Sequence, residues 1–183
     1  MAADAVAEAG RSCNRLHSIM AADGVAEAAN WPIPLQKGVG VQAAPRRVLD
    51  SILFGSQHWD SDLARSRLHQ VTAQTDVAEQ EVYIGAITRR SVVSARIWMR
   101  LGACWLAAAA PMSTTIAPPS LTPSRLTRAL VWSCWLVCPA DGGSQLQWLL
   151  HTDPKVRVPL AMVHAATPAA MLRYAYNLRS YLC

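Results

Sequence analysis

An α+β fold, an antiparallel meander of strands followed by one long C-terminal helix, is what this sequence predicts, and three observations carry the expectation. Alternating runs recur near residues 67–74, 79–87, 91–100 and 103–110, the two-residue period of half-buried strands. Asp141-Gly142-Gly143 separates two more such runs and marks a hairpin. From Pro159 to Leu182, Leu160, Val163, Thr167, Met171, Tyr174, Leu178 and Tyr181 recur at three- and four-residue spacing, so one helical stripe must cover something apolar.

The elements follow in order. Residues 1–19 form an Ala-rich leader, and Met1 to Ala9 is nearly repeated at Met20 to Ala28; two copies do not make a solenoid. Compact structure is expected from residue 20 to 183 as one domain. Trp31-Pro32-Ile33-Pro34 cannot continue a helix, and Gln36 to Ala43 reads as a strand. Pro45 at a first helical turn opens a helix to Phe54 with Val48, Leu49, Ile52 and Leu53 as its apolar stripe; Gly55 ends it, and His58-Trp59-Asp60 begins a short turn. Ser113 to Arg125 holds three prolines among Ser and Thr and reads as a long loop. Arg128 to Val137 is a buried strand, and Leu146, Trp148 and Leu150 share one face of the next. Pro168 inside the last helix removes a backbone donor beside His164, and a bend is expected there.

Composition bounds the function. The chain has 183 residues, 52% of them hydrophobic, enough for one sizeable core. Residues 1–81 carry seven basic and ten acidic side chains, whereas 82–183 carry ten basic and two acidic. That basic half suits anionic lipid headgroups. Its arginines are dispersed among apolar residues without a basic run or recognised module, so nucleic acid is not expected as a partner, and a solvated basic face remains an equal alternative. The longest apolar runs, Leu101 to Met112 and Ala129 to Cys138, fall short of the roughly 20 residues of a membrane-spanning helix. Asp4 and Glu8 stand where a secretory signal needs a basic start, and five cysteines without a paired pattern fit reduced thiols; a cytoplasmic chain is expected.

Enzyme chemistry finds little support. Cys134 and Cys138 would lie about 13 Å apart along a strand and cannot share one zinc. His58, Asp60 and Asp62 near Ser56 lack a nucleophile elbow, and no phosphate loop or dinucleotide fingerprint appears. No cofactor, no metal and no catalytic residue are expected.

A set of segments in order carries a resemblance: Val39-Gly-Val-Gln-Ala-Ala-Pro-Arg-Arg-Val-Leu49, His58-Trp-Asp60, Glu81-Val-Tyr83, Arg90-Ser-Val-Val-Ser-Ala-Arg-Ile-Trp98, Cys104-Trp-Leu106, Arg128-Ala-Leu130 and Leu149-Leu-His-Thr-Asp153. From about Asp23 to Leu182 the chain resembles the START (StAR-related lipid-transfer) domains, most of all those of Rho-GTPase-activating proteins of the deleted-in-liver-cancer type. It departs from them at Ser91 and Val92, where the family has an acid and an aromatic, and in a shorter Tyr83 to Arg90 connection.

The resemblance implies a helix-grip fold, a curved sheet gripping the C-terminal helix around a tunnel that holds one sterol, phospholipid or sphingolipid. It also implies lipid binding or transfer with peripheral membrane contact. The alternative it carries is a non-catalytic regulatory module in a Rho-GTPase pathway. The residues it sets against lipid are Glu81, Arg96, Trp98 and Trp148 on the sheet and Val163, Thr167, Met171 and Tyr174 on the helix. Periodicity alone allows the same faces to pack together as an ordinary core. Alternation also groups Arg96 with Trp98 and Arg100, opposite the apolar Val93, Ala95, Ile97 and Met99; if Arg96 is buried it needs an acid, and Glu81 is the expected partner.

Overall fold

The computed structural model describes residues 38–84, 88–112, 126–155 and 160–183. The leader and its near repeat, the start of the domain at residue 20 and the Ser113 to Arg125 segment lie outside them. The elements are β1 (Val39–Val41), α1 (Pro45–Leu53), a 3-10 turn (Ser56–His58), β2 (Leu63–Thr72), β3 (Thr75–Ile84), β4 (Thr88–Leu101), β5 (Cys104–Pro111), β6 (Leu130–Ala140), β7 (Gly143–Asp153) and α2 (Leu160–Leu182).

The seven strands form one curved antiparallel sheet in the order β1-β7-β6-β5-β4-β3-β2. Its tight turns follow local chemistry. Gly102 between β4 and β5 and Gly142 between β6 and β7 have positive φ, which a side chain disfavours. The β2–β3 turn at Ala73-Gln74 has no glycine or proline; instead the Thr72 and Thr75 hydroxyls share a hydrogen bond of 2.8 Å, and the Gln74 N–H donates to Thr72 Oγ1. The strands therefore reverse earlier than the expected break after residue 74.

α1 starts at Pro45 as expected and buries Val48, Leu49, Ile52 and Leu53 against the concave face of the sheet. Trp98, Ala107, Ala109, Trp135, Val137 and Leu146 meet them there, together with Leu178 and Leu182 of α2. The helical stripe of α2 ends on Leu182 rather than Tyr181, which is exposed. The helix runs unbroken through an exposed Pro168.

The opposite face of the sheet is also apolar and buried. Val77, Val93, Ala95 and Met112 cluster there with Ile97, and Leu106, Ala108 and Cys134 form a second group. Both faces of β4 are thus covered, so the residues alternating with Val93, Ala95 and Ile97 point inward rather than to solvent.

Reduced cysteines were the expectation; the structure corrects it. Antiparallel pairing of β5 with β6 sets Trp105 opposite Val137, and the adjoining Cys104 and Cys138 are joined in a disulfide. Register across 34 residues creates the pair, and linear spacing could not reveal it. A chain with this disulfide is not one of wholly reduced thiols, so its cysteines do not point to the cytoplasm. Cys134 is buried and Cys183 exposed, both outside the disulfide.

Candidate functional site

A cavity of about 640 Å³ lies between the concave face of the sheet and α2. Its walls come from β3 and β4 on one side, with Val82, Val92 and Ser94, and from β6 and β7 on the other, with Val131, Trp135 and Leu150. Ala166, Thr167, Ala170 and Met171 of α2 face it, and Ile52, Ser56 and Asp60 border it where α1 gives way to β2. Alternation explains the wall: every second residue of each strand points inward.

Aromatic packing fixes the helix over this space. The Tyr174 ring lies 4.7 Å from Trp59 and 4.5 Å from Trp148, and Trp148 stacks on Trp135 at 6.4 Å between centroids. Trp59 is held in turn by its indole N–H, which donates to the Ser51 carbonyl of α1 at 3.0 Å. Burial pushes the Tyr174 hydroxyl pKa well above its ordinary value, with the nearby Asp60 carboxylate adding to the effect. At the surface, Arg173 pairs with Asp62 at 2.6 Å, and the Asn177 amide donates to Ser61 Oγ at 3.1 Å, tying α2 to the segment before β2.

The most buried charges in the wall are Arg96 and Asp76, which sit directly opposite each other on β4 and β3. Arg96 Nε donates to Asp76 Oδ1 at 2.7 Å, Nη2 to Asp76 Oδ2 at 2.5 Å, and Nη1 to the Leu53 carbonyl of α1 at 2.9 Å. The fork geometry satisfies both carboxylate oxygens, as burial of such a pair demands. Arg96 borders the cavity while Asp76 stands behind it, fully buried.

This corrects the expected partner. Glu81 is five residues from Asp76, an odd spacing that turns it to the other face, where it pairs with Arg89 at 2.6 Å and Arg65 at 3.8 Å. Asp76 was missed because the β2–β3 turn was expected at the wrong residues; the signal that could have found it is the need of a buried Arg96 for an acid at even spacing on the neighbouring strand.

The other expected site residues are placed as follows. Arg96, Trp148, Thr167, Met171 and Tyr174 border the cavity. Trp98 packs edge-on against Phe54 with centroids 5.4 Å apart, within the core beneath α1 and away from the cavity. The Val163 side chain lies outside the described residues. Gln80, Ser94, Ser133 and Asp60 also border the cavity and were not singled out beforehand as ligand-facing.

Asp60 is held by local bonds: its N–H donates to the Ser56 carbonyl at 2.8 Å, and its Oδ1 accepts the Asp62 N–H at 3.0 Å. Burial raises its carboxyl pKa to about 6, against the lowering effect of the Asp62 N–H. Among the described residues no three His, Cys, Asp or Glu side chains converge on a metal-sized site. No helix among them is long and apolar enough to cross a membrane.

No family model matches the sequence, and neither does any curated protein. Solved structures do. Human StAR-related lipid transfer protein 5 superposes with a TM-score of 0.68 at 18% identity, over 78% of this chain and 71% of that one. The human StarD13 (DLC2) lipid transfer and protein localization domain gives 0.66 at 21% identity, over 80% of this chain and 75% of that one. The di-domain ARO/CYC protein BexL gives 0.56 at 11% identity, over 92% of this chain and 57% of that one. Element order, a sheet wrapped on a C-terminal helix and these superpositions agree: the chain has the helix-grip fold of the START domains.

Proposed function

We propose that this chain is a START domain that binds one lipid molecule in the cavity between the sheet and α2, without catalysing a reaction on it. The observation that carries the reading is the cavity itself. At about 640 Å³ it falls within the range of small-molecule sites, and its wall is mainly apolar with a few fixed polar groups. An alkyl chain or ring system placed there gains about 25 cal/mol per Å² of apolar surface removed from water, so few polar contacts are needed for affinity. Arg96, Trp148, Thr167, Met171 and Tyr174 are the residues proposed to contact it, and sterols, phospholipids and sphingolipids are the classes it would draw on. Loading and release would require peripheral contact with a cytoplasmic membrane surface, to which the basic C-terminal half is suited.

Native mass spectrometry of the purified chain after incubation with mixed liposomes tests this. A stoichiometric lipid adduct whose released lipid has unchanged mass supports binding without catalysis. A chemically altered lipid would favour an enzyme, and no adduct with any lipid would refute the reading. A second reading has one observation behind it: the StarD13 domain is described as serving protein localization as well as lipid transfer. On that reading the chain is a regulatory module of a Rho-GTPase pathway, and it would show a protein partner and no lipid adduct.

A further inference from the structure

We propose that Asp60 reads the polar end of the cavity's occupant, and that the occupant is an uncharged lipid ending in a hydroxyl group rather than one that sets a phosphate at this end. The inference rests on the lipid-binding reading above and narrows it to a ligand class.

The other charged groups around the cavity already have partners. All three Arg96 nitrogens are committed, two to Asp76 and one to the Leu53 carbonyl, and both Asp76 oxygens are committed in return. Asp62 is held by Arg173. Arg90 donates through Nε to the Pro154 carbonyl at 3.0 Å, and Lys155 is paired with Asp153.

Asp60 differs from these groups. Its Oδ1 accepts the Asp62 N–H, while among the described residues Oδ2 has no hydrogen-bond partner. The side chain borders the cavity, beside Ser56 and the buried Tyr174.

The groups facing Asp60 are Asp62, Arg173 and Tyr174, with Arg96 beyond Tyr174. Asp62 cancels Arg173, and Asp76 cancels Arg96, so the charge left uncompensated at this end is that of Asp60. A phosphate there would meet a carboxylate and no free cation, which burial makes costly. A hydroxyl instead donates to Oδ2, giving a charge-assisted hydrogen bond out of water. The elevated carboxyl pKa fits a group that has lost its water and gains from a donor.

The consequence is a preference that depends on pH. Above a pKa of about 6, Asp60 accepts from an alcohol and offers nothing to an ether of the same lipid; below it the protonated carboxyl donates to either, and the preference shrinks.

The test uses phosphatidylcholine vesicles carrying cholesterol or its 3-O-methyl ether, with retained lipid read by native mass spectrometry for the wild type, Asp60→Leu and Asp60→Asn. The wild type should retain the alcohol at least about tenfold over the ether above the pKa, the scale of one hydrogen bond to a charged group, and less below it. Asp60→Leu should retain both equally. Asp60→Asn keeps an acceptor, folds if the leucine variant does not, and should lose the pH dependence. An unchanged preference and pH profile in the variants overturns the proposal, as does a wild type that retains phosphatidylcholine and no cholesterol; both leave lipid binding intact. A wild type that retains no lipid from any vesicle overturns the binding reading itself.

Discussion

Replacing Asp76 by Ala strips the counter-charge from an Arg96 side chain that is 5% exposed, while its guanidinium keeps only the Leu53 carbonyl. Breaking a buried pair from one side costs about 3–5 kcal/mol, because the surviving charge is left desolvated and unpaired. For a domain whose whole stability is about 5–15 kcal/mol, that is a large fraction. Replacing both partners, Asp76→Leu with Arg96→Met, removes the charges together and should recover most of the loss, since apolar substitutes for a buried pair are often neutral or better. The assay is urea unfolding followed by tryptophan fluorescence, with a double-mutant cycle over the two sites. A coupling energy of about 3 kcal/mol is expected. If Asp76→Ala costs less than about 1 kcal/mol, the pair is not desolvated in solution and does not hold this wall.

Other outcomes follow from single features. Asp60 has a folded pKa raised from 3.8 to about 6, so its ionisation opposes folding, and the wild type should lose up to about 3 kcal/mol as pH rises through the window from about 4 to about 6; Asp60→Asn should be more stable than wild type above that window by up to this amount and show no gain below it, as measured by urea midpoints across pH. Ala170→Trp places an indole in the cavity and should abolish the lipid adduct while circular dichroism shows the fold retained; an adduct of undiminished yield would place lipid elsewhere. Cys104→Ala opens a loop of 34 residues and should lower stability by about 2–4 kcal/mol under oxidising conditions, with no difference from wild type after reduction. Amides around Pro168 should exchange faster than those of Trp148 to Leu150, because the proline leaves one helical carbonyl without its donor; equal protection would show the helix unweakened.

The legible parts of this fold are those with local punctuation. Pro45 and the stripe ending at Leu53 fixed α1 to within a residue, Asp141-Gly142 announced the last hairpin, and the period of Met171, Tyr174 and Leu178 marked the face of α2. The β2–β3 turn had no such mark, because Ala73-Gln74 is closed by threonine hydroxyls that seldom signal a turn. That shift in the turn hid Asp76, and with it the partner of Arg96. The face of Arg96 was ambiguous for a different reason: in a sheet buried on both sides, polar and apolar residues no longer sort by solvent, and only the register across strands tells which way each points. The disulfide was invisible on the same ground.

The strand order has a consequence for how the chain assembles. From β3 to β7 each strand pairs with the one before it in sequence, so those ladders can form in succession, and neighbouring strands meet early. Among the described strands only β1 pairs far away, with β7, where Ser144 Oγ donates to the Ala43 carbonyl across 101 residues. Closing so long a loop for three residues of ladder is entropically expensive before the other strands are in place. β1 therefore joins last, and during synthesis it must wait until β7 has emerged. Until then β7 presents an open edge, a template for any extended segment nearby, so the docking of this short N-terminal strand completes the sheet and also shields the nascent chain from pairing with its neighbours.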